Sequence, residues 1–198
     1  MIKAVIFDLG GVLIDFPVPK MIEFCARNLG ITVKDLVREA RLLRKPFQEG
    51  TMSENELWEI ICSKTGAAKP RSPSLWEDAF RNAYREKADV FSIVDKLRAL
   101  KYRIGLLSNT EVPSIRCLDS GRYNFDALVY SCVEGVSKPE PEIYSIALMR
   151  LGTAPGEAVF VDDQNDNIEA ARNLGIHCIL FRDSGQLREE LARLGVDV

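Results

Sequence analysis

Apolar residues fall along this chain in two rhythms, and the switch between them marks its segments. Ile2, Ala4, Val5, Ile6 and Phe7 form a short apolar run, closed abruptly by Asp8-Leu9-Gly10-Gly11, which predicts a buried strand over Ile2–Phe7. From residue 16 to residue 88 the spacing turns helical. Met21, Phe24, Cys25 and Leu29, then Leu36, Ala40 and Leu43, then Leu57, Ile60 and Ile61 share faces at a helical period. Ser53 with Glu56 before that last run is a capping-box pattern. Loops are expected at Gly30, over Lys45 to Thr51 and over Gly66 to Ser74. The stretch therefore predicts a bundle of about four helices and no strand.

After Asp89 helix and strand alternate. The pattern predicts helix Ser92–Lys101, strand Arg103–Leu107, a weaker strand Ala127–Ser131, helix Glu140–Leu151 and strand Ala158–Val161. Helix Asn167–Leu174 follows, then strand Ile176–Phe181 and a closing amphipathic helix carrying Leu187, Leu191 and Leu194. Such alternation predicts an α/β fold, a doubly wound Rossmann-like parallel sheet covered on both faces. The helical stretch cuts the first strand off from the others. Residues 1–15 and 89–198 are thus expected to form one core, and residues 16–88 an inserted helical domain.

Composition narrows the classes of function. With 198 residues, 46% apolar and 28% charged, the chain is an ordinary globular one, not a disordered or low-complexity one. Lys and Arg number 26 against 29 Asp and Glu, a net charge of -3, so no nucleic-acid partner is expected. No run reaches the roughly 18 apolar residues of a membrane span. Asp8 interrupts the apolar N-terminal run, so neither a membrane nor a targeting segment is expected. Five widely spaced cysteines, Cys25, Cys62, Cys117, Cys132 and Cys178, are expected to be packed, reduced thiols of a cytoplasmic protein. The single histidine, His177, excludes di-histidine zinc sites and is expected in the core or at a strand edge. Trp58 and Trp76 are expected to pack in the helical bundle or to line a pocket there. Nothing in the sequence demands more than a monomer.

The polar residues are informative by position. Asp8, Ser108 with Asn109, and Asp162-Asp163 each follow the C-terminal end of a different predicted strand, where ligands bind in doubly wound sheets. Singly they read as a turn residue, a helix cap and an acidic helix start. Jointly they deliver carboxylates, a hydroxyl and an amide to one edge. Carboxylates are hard oxygen ligands suited to Mg²⁺ alongside phosphate oxygens, and a carboxylate such as Asp8 can attack phosphorus to form an aspartyl-phosphate. Two anions repel, so a fixed cation is needed, and Lys138 in Val136-Ser137-Lys138-Pro139 can supply it. Pro139 restricts the backbone of Lys138, which helps to aim it.

Taken in order, Asp8-Leu9-Gly10-Gly11-Val12-Leu13, Leu107-Ser108-Asn109-Thr110, Ser137-Lys138-Pro139 and Phe160-Val161-Asp162-Asp163 through Asn167 resemble the four motifs of the haloacid dehalogenase-like hydrolase superfamily. The resemblance spans essentially the whole chain and is nearest to the small helical-cap phosphatases, among them α-D-glucose-1-phosphatase and the phosphatase domain of soluble epoxide hydrolase. It implies that Asp8 is the nucleophile. It also implies that Asp8, the Gly10 carbonyl and Asp163 bind Mg²⁺, with Asp162 and Asn167 orienting the ligands. Ser108, the Asn109 amide and Lys138 would hold the phosphoryl group. The helical insertion would be a cap reading the substrate, with Arg44, Lys45 and the loop near Gly50 on its side of the site.

One position departs from the pattern. The family's phosphatases carry a second aspartate two residues after the nucleophile, as general acid and base, and this chain has Gly10 there. General acid–base help is worth about 10²–10⁴-fold. The expected activity is a Mg²⁺-dependent phosphomonoesterase acting on a small phosphorylated metabolite, such as a sugar 1-phosphate with an acidic leaving group. The alternatives are a phosphate- or metabolite-binding regulatory protein without turnover, for which Gly10 speaks, and a 2-haloacid dehalogenase, against which Asp162-Asp163 speaks.

Overall fold

The structure, a computed structural model, describes residues 1–118 and 123–198. Strand β1 (Ala4–Phe7) leads to a two-residue strand β2 (Ile14–Asp15). Five helices follow: α1 (Val18–Leu29), α2 (Val33–Ala40), α3 (Arg44–Gln48), α4 (Glu54–Thr65) and α5 (Leu75–Ala83). Strand β3 (Arg85–Glu86) then pairs antiparallel with β2, so the helical insertion leaves and returns through one short ribbon. The rest alternates: α6 (Ala88–Ala99), β4 (Arg103–Ser108), α7 (Val112–Ile115), β5 (Ala127–Tyr130), α8 (Ser131–Glu134), α9 (Pro141–Leu151), β6 (Ala158–Asp162), α10 (Asn165–Asn173), β7 (His177–Leu180) and α11 (Ser184–Arg193). A single 3-10 turn, Pro155–Glu157, precedes β6.

The five long-range strands make one parallel sheet in the order β5-β4-β1-β6-β7, the doubly wound α/β architecture expected. Both faces are covered. Val5, Phe7, Leu106 and Val161 point into one apolar cluster with Val94, Leu97 and Leu187, whereas Ala4, Ile6 and Phe160 point into a second with Tyr144, Ala147 and Ile168. This period-two split explains why the strands read as continuous apolar runs. The first cluster continues without a break into the insertion through Met21, Leu36, Phe47, Trp58 and Phe80.

Three expectations need correction. The insertion holds five helices, because Arg44–Gln48, expected as loop, is helical. Pro46 lies in the first turn of that helix, where its missing N–H costs no intrahelical bond. The 16–88 stretch also contains strand β3, too short to carry a period. Finally, the strand from Ala127 ends at Tyr130, and Ser131 opens α8. Its hydroxyl accepts from the Thr110 N–H at 2.9 Å and donates to the Gln48 carbonyl at 2.5 Å, tying insertion to core. The capping box on α4 forms as expected, with both Ser53 and Glu56 bonds present. His177 sits exposed on edge strand β7. Cys25, Cys62 and Cys117 are buried, and all five thiols are free. Among the described residues, no helix is long and apolar enough to cross a membrane.

Candidate active site

The sheet reverses its direction of growth at β1, and the crevice outside the strand ends there is where such folds bind ligands. The parallel register sets Phe7 beside both Leu106 and Val161, so Asp8 emerges level with Asp162 on the next strand. The Asp8 N–H donates to the Val161 carbonyl at 2.9 Å, which fixes the turn-out of the chain. Lys138 enters from the loop between α8 and α9, across a cis Lys138–Pro139 peptide bond. Its Nζ donates to Asp8 Oδ1 at 2.7 Å and to Asp162 Oδ2 at 2.6 Å, and it lies 5.5 Å from the centre of the Phe160 ring. All three charged side chains are buried.

Each support has its own partner. Asn167 Nδ2 donates to both Asp162 oxygens at 3.1 Å, and the Gln164 N–H donates to Asp162 Oδ1 at 2.8 Å. Tyr144 holds the Asn167 carbonyl at 3.0 Å. Asn109 brackets the Lys138 backbone with its side-chain amide: Nδ2 donates to the lysine carbonyl and Oδ1 accepts the lysine N–H, both at 2.8 Å. The Asn109 side chain therefore aims the lysine, with its backbone N–H and second Nδ2 hydrogen left to offer a phosphate. Ser108 ends β4, buried, and lines the same cavity.

Burial pushes the Asp8 carboxyl up to about 7, opposed by Lys138 and reinforced by Asp162. Burial lowers the affinity of Lys138 for its proton, but the flanking carboxylates outweigh it and hold the ammonium above its ordinary value. Asp163 is raised by burial and by Asp162. Asp8, Asp162 and Asp163 each offer an oxygen within 4.8 Å of the others. With the Asp162 oxygens engaged by Lys138, Asn167 and Gln164, the carboxylates with room for a cation are Asp8 and Asp163. Gly11 makes that possible. It has φ +82°, and a Cβ there would overlap the Asp163 carboxylate.

A cavity of about 580 Å³ opens above Asp8, between the sheet edge and the insertion. Gly10, Ser108, Asn109, Lys138, Asp163 and Asn167 line it with Asp8, so every motif residue expected at the site except Asp162 faces this space. Asp162 sits behind them. Trp58 and Trp76 both line the cavity and pack on each other at 6.3 Å. Arg44 lines it too, while Lys45 turns away to pair with Glu49 and Glu140. Gly50, at φ +70°, lies against the Cys132 carbonyl, where a Cβ would overlap it. Ser137 donates to Glu49 at 2.7 Å, so the loop carrying Lys138 is bonded directly to the insertion. Sequence reasoning missed Gly11, Gln48 and Glu111. Glu111, three residues beyond Ser108, is a buried acid in the cavity wall, and burial raises its carboxyl.

Residues 2–175 match the model of the haloacid dehalogenase-like hydrolase family. The chain belongs to that family. It is an enzyme fold with phosphatase relatives over nearly its full length. A sesquiterpene phosphatase of Aspergillus oryzae is 25% identical over 97% of this chain and 96% of its own. A D-ribitol-5-phosphate phosphatase of Bacteroides thetaiotaomicron is 26% identical over 96% and 97%. Mouse acyl-CoA dehydrogenase family member 10 is 30% identical over 98% of this chain, which spans only 19% of that protein. Among solved structures, a HAD-family enzyme of Bacteroides thetaiotaomicron in complex with magnesium and inorganic phosphate superposes with a TM-score of 0.76 at 25% identity, covering 92% of this chain and 95% of that one.

Proposed function

We propose that this protein is a Mg²⁺-dependent phosphomonoesterase that hydrolyses a small phosphorylated metabolite through an aspartyl-phosphate on Asp8. The observation that carries the reading is the buried Asp8–Lys138–Asp162 cluster at the switch point of the sheet, which pairs a carboxylate nucleophile with a fixed cation. A carboxylate oxygen of Asp8 attacks phosphorus as the bond to the leaving oxygen breaks. Lys138 and Ser108 hold the phosphoryl oxygens during that transfer. The leaving alkoxide takes a proton from water and departs as the alcohol. A second water attacks phosphorus, the Asp8–phosphorus bond breaks, and inorganic phosphate leaves the free carboxylate behind.

Asp8, Asp163 and the Gly10 carbonyl form an all-oxygen donor set that fits Mg²⁺, and the missing Cβ of Gly11 keeps Asp163 within it. When bound, the ion neutralises charge on the phosphoryl oxygens. Asp162 and Asn167 orient this set through Lys138. Residues 16–88 act as a cap over a core of residues 1–15 and 89–198, and the β2–β3 ribbon is its point of attachment.

A second reading, phosphate or metabolite binding without turnover, is favoured by Gly10, which leaves no carboxylate two residues after Asp8. One experiment separates the two. Hydrolysis of p-nitrophenyl phosphate, whose acidic leaving group needs no proton donor, is measured with Mg²⁺ and after chelation. Metal-dependent turnover is expected. Retained phosphate binding with no turnover of any ester would establish the second reading, and chelator-insensitive release of chloride from 2-chloropropionate would make the protein a dehalogenase.

A further inference from the structure

The cavity above Asp8 is far larger than a phosphoryl group needs, at about 580 Å³ the size that encloses a drug-sized ligand. Its character changes with distance from the sheet. The floor is charged, with Asp8, Lys138 and Asp163. The wall that rises from it is apolar, built by Phe16, Met21, Leu36, Phe47, Trp58 and Trp76 of the insertion.

Apart from the exposed Arg41 and Arg44, the polar groups of that wall are already committed. Trp58 Nε1 donates to Glu54 at 2.8 Å, and Trp76 Nε1 donates to Ser114 Oγ at 3.1 Å. Glu111 accepts from Ser114 Oγ at 3.1 Å and is also bonded by the Gln48 side chain. Arg41 and Arg44 belong to exposed positions, and Val18 and Val37 bring half-exposed apolar surface to the cavity as well. A sugar in this space would bury hydroxyls against methyl groups and ring faces, losing bonds to water that the wall does not replace. An apolar chain would gain from every methylene it buries.

We infer that the alcohol half of the substrate is apolar, an alkyl or isoprenoid alcohol whose monophosphate sits at Asp8 and Lys138 while its chain fills the cavity between α1, α2, α4 and α5. This rests on the phosphomonoesterase reading and names the class of ester for the same site. It stands as the alternative to the sugar 1-phosphate expected from the sequence, and the series below decides between them.

The test is a chain-length series on the intact protein with Mg²⁺: butyl, hexyl, octyl and decyl phosphate below their micelle-forming concentrations, beside glucose 1-phosphate, ribitol 5-phosphate and p-nitrophenyl phosphate. The expected kcat/KM rises about two- to fourfold per methylene until the cavity is filled, with octyl phosphate above either sugar ester by about tenfold or more. A flat or falling series, with the sugar esters turned over as well or better, overturns the inference and leaves the phosphomonoesterase reading standing. Absence of turnover for every ester, the aryl phosphate included, overturns both.

Discussion

At the floor of the cavity, Asp8, Lys138, Asp162 and Asn167 come from two strand ends, a loop and a helix start, and they hold one another by charged hydrogen bonds of 2.6 to 3.1 Å. In the wall, side chains from five short helices meet by apolar and aromatic contact, as where Phe47 packs edge-on against Trp76 at 5.0 Å. The floor is held by directional bonds, since Lys138, Asn167 and the Gln164 N–H between them engage Asp8 Oδ1 and both Asp162 oxygens, and losing one partner strands a buried charge. The wall is adjustable, since apolar contact is non-directional and tolerates exchange of shape. On the proposed reading, chemistry belongs to the floor and choice of substrate to the wall.

The harshest way to break that division is to disarm the proposed nucleophile. Asp8→Asn keeps the shape of the floor and is expected to lower kcat for p-nitrophenyl phosphate by on the order of 10⁴-fold or more, with an unchanged circular dichroism spectrum. Residual activity near that of the unaltered protein would remove Asp8 from the mechanism. Lys138→Met is next. It leaves Asp8 and Asp162 facing each other without their cation, and is expected to cost about 3–5 kcal/mol in urea unfolding as well as most of the activity.

Gly10→Asp sharpens the comparison in the other direction. The nearest atom to a Cβ at Gly10 is Phe16 Cβ at 3.9 Å, ordinary contact, so a side chain has room to start there. Supplying a carboxyl two residues after Asp8 is expected to raise kcat on alkyl phosphates by about 10²-fold, and on the aryl phosphate by much less. Equal gains on both would show that leaving-group protonation is not what the glycine lacks. The smallest effect is expected far from either region. His177→Gln, on the exposed edge strand, should change stability by no more than about 0.5 kcal/mol and leave kcat alone.

Much of the floor is legible in the sequence. Strand-ending acids announce themselves, since an apolar run stopped by Asp8 or by Asp162-Asp163 has one natural place in a parallel sheet. The pairing of Lys138 with Asp8 is legible through its motif. That Asn109 spends its side chain on the Lys138 backbone is not, because a bond across 29 residues of chain leaves no local trace. Helix α3 is hidden by Pro46, and the β2–β3 ribbon by its two-residue length. Gly11 carries no signal of its own beside Gly10, although it is the glycine whose replacement would displace Asp163.

By itself the sequence determined the sheet, the insertion and the set of polar residues carried to the strand ends, because period-two and helical patterns fix which segments must be buried. Only the tertiary structure decided what surrounds the site. Phe16, Leu36, Phe47, Trp58 and Trp76 read equally well as ordinary core residues, and their spacing says which helix face is apolar but not what that face covers. Five helices had to be packed over the sheet edge before part of that apolar surface became the wall of a cavity. Hydrophobic burial sets the inside of a bundle from the chain alone, whereas a binding site is the space that packing leaves unfilled.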